Sequence, residues 1–228
     1  MKRVSVILLA GGKGSRMETA TPKQFLQLGN KPLLFHSLEF FQNFSYTHEM
    51  IIVCEKEYQT LFHETNGIGI KFAAPGNRRQ DSVFNGLKEV DPLSDLILIH
   101  DGARPFLNEA NLLKAIDEAA LHGAAALAVP LKFTVKEKDE NGTVLKTVDR
   151  ASLFEVQTPQ IIEQKLLWEG FQFAQQHGLE VTDDLSLIEL LNKPAKLVMG
   201  SYQNIKITTK EDLAFAKVLL ENMYESVL

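Results

Sequence analysis

Three stretches of this chain combine residue types that suit phosphate chemistry. The first is Leu8-Leu9-Ala10-Gly11-Gly12-Lys13-Gly14-Ser15-Arg16-Met17, followed closely by Thr21-Pro22-Lys23-Gln24. Glycines at 11, 12 and 14 let the backbone approach an anion and aim N–H groups at it. Arg16 and Lys23 add two cations to the same loop, a combination that suits a polyphosphate. The alternative is a solvated basic loop. Two familiar phosphate binders are excluded by spacing: Met17 stands where a dinucleotide fingerprint has its third glycine, and no Gly-x-x-x-x-Gly-Lys-Ser/Thr occurs.

The second stretch is Ile99-His100-Asp101-Gly102-Ala103-Arg104-Pro105, at the C-terminal end of an expected central strand. Ligands of open α/β sheets bind beyond those strand ends. Asp101 there would either ligate Mg²⁺ beside phosphate oxygens or organise a basic neighbour. Alternatively it caps a turn and pairs with Arg104. The third set is scattered: Thr147-Val148-Asp149-Arg150, Thr182-Asp183-Asp184 and Asn204-Ile205-Lys206-Ile207-Thr208. Each is uninformative alone, because exposed Arg and Lys are commonplace. No Gly-x-Ser-x-Gly elbow, metal-type His/Cys cluster or Cys-x-x-Cys is present. His36, His48, His63, His122 and His177 read as surface or core residues, while His100 adjoins the candidate site and either serves it or packs at the strand end.

The elements that would position these stretches follow from periodicity. Val4–Leu9, Met50–Val53, Lys71–Ala74, Leu96–Ile99 and Ala125–Val129 read as strands, mostly continuous in apolar character, as in a sheet covered on both faces. Helical spacing runs through Pro32–Phe44, with Leu34, Leu38 and Phe41 on one face. It recurs in Gln80–Val90, with Val83, Leu87 and Val90, and in Asn111–His122, which stops at Gly123. Alternating strand and helix predicts an α/β fold, Rossmann-like, with a mostly parallel sheet flanked by helices. Further on, helices are expected at Ile162–Gln175 and near Asp184–Leu191, with short strands at Lys196–Met199 and Asn204–Ile207. A last helix is expected to start at a Thr208-x-x-Glu211 capping box and run to about Tyr224.

One region breaks the rhythm. Phe133–Lys138 and Thr143–Val148 alternate with period two around Asp139-Glu140-Asn141-Gly142, a strong hairpin signal. A charged two-stranded ribbon is marginal by itself in water. Its simplest partner is the same arm, about residues 131–152, of a second copy; a solvated surface hairpin is the alternative. No repeat or linker divides the chain, so one domain spanning 1–228 is expected.

Composition narrows the classes. The chain has 228 residues, 45% hydrophobic and 23% charged, with a net charge of −5. The acidic balance argues against nucleic-acid binding. Within it, Lys13, Arg16, Lys23 and Lys31 face only Glu18 across residues 11–31. The lone Cys54 forms no intrachain disulfide and reads as a buried strand residue. The apolar start, Val4 to Ala10, is a strand rather than a signal sequence. No run reaches the ~20 residues a membrane span needs, so no membrane partner is expected and the cytoplasm is the default.

Taken in order, Ala10–Met17, Pro22-Lys23-Gln24-Phe25, His100–Pro105, Thr147–Arg150, Thr158-Pro159-Gln160 and Asn204–Thr208 resemble the 2-C-methyl-D-erythritol 4-phosphate cytidylyltransferase family over nearly the whole chain. The resemblance implies Mg²⁺-dependent transfer of CMP from CTP to methylerythritol phosphate, with release of pyrophosphate, in non-mevalonate isoprenoid synthesis. It implies a homodimer whose arm reaches over the neighbouring site. By the same carry-over, Arg16 and Lys23 stabilise charge on the α-phosphate, and Arg150 and Lys206 position the acceptor phosphate. Asp101, Arg104, Thr134 and Thr182 complete the acceptor pocket, Thr134 and Arg150 coming from the partner's arm. Ala10, Gly11, Gly12, Gly14, Gly76, Asn77 and Ser82 hold the nucleotide. Two positions depart from the family's habit: Ala10-Gly11 replaces a pair of alanines, and Pro75-Gly76-Asn77 replaces Gly-Gly-Asp. The Asn77 amide oxygen still offers the cytosine amine an acceptor. A ribitol 5-phosphate cytidylyltransferase, a sugar-phosphate uridylyl- or guanylyltransferase and a non-catalytic nucleotide-binding regulator are the rival readings. Pyrophosphate release with each acceptor separates them.

Overall fold

The Val4–Leu9 run becomes strand β1, flanked on both sides by parallel neighbours. Its side chains alternate between two apolar layers, Val4, Val6 and Leu8 on one face and Ile7 on the other. The computed structural model describes residues 2–12, 22–62 and 67–225.

Beyond Pro22 the chain makes a short 3₁₀ turn, Lys23–Phe25, and a two-stranded ribbon of β2 (Gln27–Leu28) and β3 (Lys31–Pro32). Helix α1 (Leu33–Asn43) buries Leu34, Leu38 and Phe41, the face its spacing predicts. Then come β4 (Thr47–Val53), β5 (Gly69–Ala73), α2 (Arg79–Lys88), β6 (Leu96–Asp101), α3 (Glu109–His122) and β7 (Ala124–Pro130). The hairpin follows as β8 (Val135–Lys138) and β9 (Val144–Val148). The chain returns through β10 (Phe154–Glu163), α4 (Gln164–Gln176), α5 (Leu185–Leu190), β11 (Lys196–Met199) and α6 (Lys210–Glu225).

Seven strands form one sheet in the order β11-β7-β10-β6-β1-β4-β5. All neighbouring pairs are parallel except those of β10, which runs antiparallel to both β6 and β7. Helices α1 and α3 pack on one face and α2, α4 and α5 on the other. The expected mostly parallel α/β sheet flanked by helices is therefore observed, and Cys54 is buried at the end of β4.

Three expectations require correction. The segment read as a helix from Ile162 begins as strand β10, and the helix starts only at Gln164. Ile161-Ile162 is a short buried apolar run, which periodicity does not assign to helix or strand. Pro159 interrupts the ladder, with a register shift between Val156 and Gln160, so the strand is hard to see in the sequence. Asn204–Ile207 forms no strand: its Ile207 N–H donates to the Ala103 carbonyl at 2.9 Å, one bond rather than a ladder. The capping box of α6 sits one residue later than expected. The Thr209 N–H donates to Asp212 Oδ2 at 2.9 Å and the Asp212 N–H to Thr209 Oγ1 at 3.2 Å.

The hairpin forms as expected, with its turn between Lys138 and Val144. The Asp139 N–H donates to the Thr143 carbonyl, Asp139 Oδ1 accepts from the N–H groups of Asn141 and Thr143, and Gly142 takes a φ of 88°. The arm is a separate two-stranded sheet.

Candidate active site

The site is built where β1, β4 and β6 end together. The Ala10 N–H donates to the Val53 carbonyl, and the Gly102 N–H donates to the Leu9 carbonyl at 2.9 Å. This places the Gly11-Gly12 backbone beside Asp101. Gln24 is buried and donates from Nε2 to the Ala10 carbonyl, so the Pro22-Lys23-Gln24 turn is fastened to the glycine loop. The Lys23 ammonium in turn donates to the Ile207 carbonyl at 3.1 Å. A third apolar cluster, with Leu28, Leu33, Phe106, Ile207 and Leu220, packs the β2–β3 ribbon, the turn after β6 and α6 together. Residues 23 and 206, far apart in sequence, thus face one cleft.

That cleft has a volume of about 590 Å³ and is lined by Gly11, Gly12, Lys23, Asp101 and Lys206, with Gly76, Asn77, Arg79 and Ser82 among the rest. The opposite wall is the turn into α2. The Gly76 N–H donates to Ser82 Oγ at 2.9 Å, which folds the turn back on the helix. A side chain at 76 would put its Cβ 2.3 Å from Asp81 Cβ, and one at 11 would meet Pro75 Cβ at 2.4 Å. At Gly11 and Gly76 the walls are therefore bare backbone because nothing larger fits, whereas Gly12 borders open space.

Asp101 is 6% exposed and ringed by cations. Its Oδ2 lies 2.7 Å from the Lys206 ammonium and 3.8 Å from Arg104 Nε, and its Oδ1 accepts from Arg79 Nε at 3.2 Å. Burial opposes ionisation, but Arg79, Lys206 and Arg104 outweigh it and hold the carboxyl well below the usual carboxylate range. Behind it stands a neutral relay. The Asp101 N–H donates to Thr158 Oγ1 at 3.0 Å, and Thr158 Oγ1 lies 3.1 Å from His100 Nδ1. His100 Nε2 faces the Arg104 carbonyl at 3.0 Å, so Nε2 carries the proton and Nδ1 accepts from the threonine. Burial lowers the His100 pKa to about 4, so the imidazole is neutral at pH 7.

The other expected residues fall into three groups. Ala10 is buried behind the glycine loop, and Arg104 sits beside Asp101 with Nη1 on the Asn204 carbonyl at 2.6 Å. Thr182 is exposed and outside the cleft lining, and so are Thr134 and Arg150 on the arm, where Arg150 donates to the Lys132 carbonyl. Gly14 and Arg16 lie outside the described residues. Asp101 does not fit a direct metal ligand, because both of its oxygens already face cations. Among the described residues no group of three His, Cys, Asp or Glu side chains could hold a metal ion.

Three participants had no role assigned from sequence: Arg79, which no motif included, and Asp184 and Gln160, which stood in quoted motifs without a task. A signal for Arg79 existed. It opens α2, where the helix dipole disfavours a cation, so its charge needed another partner.

Comparison with known proteins agrees with this geometry. The sequence model of the 2-C-methyl-D-erythritol 4-phosphate cytidylyltransferase family matches residues 4–222. The chloroplastic protein of that name from Oryza sativa subsp. japonica is 46% identical over 96% of this chain and 75% of its own. That of Chlamydia pneumoniae is 40% identical over 96% of this chain and all of its own. The crystal structure of a 4-diphosphocytidyl-2C-methyl-D-erythritol synthase from Anaerococcus prevotii superposes with a TM-score of 0.85 at 33% identity, covering 96% of each chain.

Proposed function

The chain belongs to the 2-C-methyl-D-erythritol 4-phosphate cytidylyltransferase family, and from that premise we propose how its residues transfer CMP from CTP to the acceptor phosphate. A phosphate monoester has its second pKa near ~6, so at neutral pH the acceptor is a dianion and needs no general base. What the enzyme supplies is alignment of two mutually repelling anions and neutralisation of charge as it develops. The observation that carries this reading is the convergence of Lys23 and Lys206 on one cleft with the bare Gly11-Gly12 and Gly76 walls.

In this reading the triphosphate lies along Gly11 and Gly12, and the cytosine sits by Gly76, Asn77 and Ser82. Lys23, with Arg16 from the same loop, neutralises the α-phosphate as pyrophosphate leaves. Lys206 takes the acceptor phosphate. Asp101, fixed as an anion, accepts hydrogen bonds from acceptor hydroxyls. Arg104 Nε is buried without a hydrogen-bond partner among the described residues, a donor an incoming oxygen would satisfy. Mg²⁺ would be held by the nucleotide's phosphate oxygens and water rather than by Asp101.

The arm belongs to a homodimer. Phe133 is 80% exposed, and Val144 and Leu145 are also exposed on this ribbon, an apolar surface that a second copy would cover. Thr134 and Arg150 would then complete the second copy's site. No described helix is long and apolar enough to cross a membrane, and water-soluble phosphates suit an enzyme of the cytoplasm.

The test is pyrophosphate release with CTP and Mg²⁺, comparing 2-C-methyl-D-erythritol 4-phosphate with ribitol 5-phosphate. Turnover with the former and little with the latter is expected. Faster turnover with ribitol 5-phosphate would overturn the acceptor assignment. CTP binding without turnover on either acceptor would favour a regulator.

A further inference from the structure

Arg79 makes two different carboxylates depend on one guanidinium. Its Nη1 and Nη2 donate to Asp184 Oδ1 and Oδ2 at 2.9 and 2.8 Å, while Nε donates to Asp101 Oδ1 at 3.2 Å. Asp184 is 1% exposed and stands at the N-cap position of α5, where its side chain makes no capping bond and is free to take Arg79. Its own backbone N–H, with that of Leu185, donates to Gln160 Oε1 at 2.8 and 3.0 Å, and Gln160 comes from the antiparallel strand β10. A continuous polar chain therefore runs from the middle of the sheet, through Gln160, Asp184 and Arg79, to the carboxylate that faces Lys206.

We propose that Arg79 is a positioning residue for the acceptor half of the site, holding Asp101 so that Oδ2 alone is presented to Lys206 and the acceptor. The inference rests on the reading that Asp101 and Lys206 border the acceptor. Two features favour positioning over direct phosphate binding. The guanidinium is already shared between two carboxylates, so it adds little net charge to attract an anion. Three of its N–H groups are also committed in a planar fork, a geometry that lysine does not reproduce.

Arg79→Lys keeps the charge and loses the fork. The expected result is a rise in the KM for methylerythritol phosphate, with kcat/KM for that substrate falling on the order of 10- to 100-fold and the KM for CTP unchanged. Combined with Asp101→Asn, it should cost no more than the larger single change, because the two act through one carboxylate. Should Arg79→Lys fail to fold, the charge-neutral pair Arg79→Gln with Asp184→Asn avoids an uncompensated buried carboxylate and carries the same expectation. A rise in the KM for CTP instead would make Arg79 a nucleotide ligand and overturn the proposal. So would unchanged kinetics in a folded variant, or full additivity with Asp101→Asn. If the wild-type enzyme failed to use methylerythritol phosphate at all, the functional reading would fall first, independently of Arg79.

Discussion

Asp101, at the end of β6, is buried and in contact with cations from α2, from the turn after β6 and from the segment before α6. On the β8–β9 arm, Thr134 and Arg150 are exposed, and Arg150 donates to the backbone carbonyl of Lys132 at the base of the same arm. Both regions carry residues assigned to the same acceptor, yet one is held by the main sheet and the other stands on a separate two-stranded ribbon. The physical difference lies in what surrounds each. Around Asp101, apolar packing on both sheet faces fixes the backbone, and the low local polarity makes each ion pair stronger. The arm is a two-stranded ribbon separate from the main sheet, and such a ribbon is only marginally stable by itself in water. In the proposed reading, half of the site is preformed and association would complete the other half.

The sharpest way to break that contrast lies in the preformed half. Lys23→Ala should lower kcat roughly 10²–10³-fold with CTP binding largely retained, as expected for a donor that acts on developing charge. Arg16→Ala should behave alike, and a normal kcat in either variant would refute the role. In the arm, Arg150→Ala should raise the KM for the acceptor about 10- to 100-fold, the worth of one charge-assisted contact. Its companion Leu145→Asp should weaken association, so that activity per enzyme falls on dilution. A fully active monomer by sizing at micromolar concentration would show that the arm completes nothing.

A smaller effect tests the packing behind Asp101. The folded pKa of His100, about 4, lies below its ordinary 6.5, so the unfolded chain binds the proton more readily. The stability this neutral imidazole contributes is complete above about pH 6.5 and lost as the pH falls toward 4. Thermal unfolding should register a loss on the order of 2 kcal/mol between pH 7 and 5, and His100→Gln should flatten that dependence. A pH dependence identical in the variant would assign the loss elsewhere. The smallest effect is on the rate profile. Because the Asp101 carboxyl ionises far below this range, kcat/KM between pH 5 and 8 should follow only the acceptor phosphate, near ~6. Any second ionisation removed by Asp101→Asn would contradict this.

Much of this was legible in particular residues. The unbroken apolar run of β1 and the glycine, lysine and arginine types that follow it pointed to a sheet covered on both faces and to an anion. Lys206 was legible only through resemblance, since an isolated lysine carries no local signal. Arg79 and Asp184 escaped because their meaning is mutual: a cation at a helix start and an acid in a polar triplet become a pair only when α2 and α5 are packed on the same face. Strand β10 escaped because Pro159 breaks its pattern, and an apolar pair alone does not distinguish strand from helix.

The order of residue types along the chain was enough to set most of the element sequence, the covered sheet, the phosphate-seeking loop and the family. Local rules suffice for these, because periodicity, glycine spacing and charge act between near neighbours. Tertiary structure alone decided that Lys23 and Lys206 share a cleft, that Asp101 faces Lys206, Arg79 and Arg104, and that a half-buried arginine ties it to the sheet through Asp184. Those outcomes depend on burial and on distances between distant segments, and electrostatic energy follows distance and polarity rather than position in the chain.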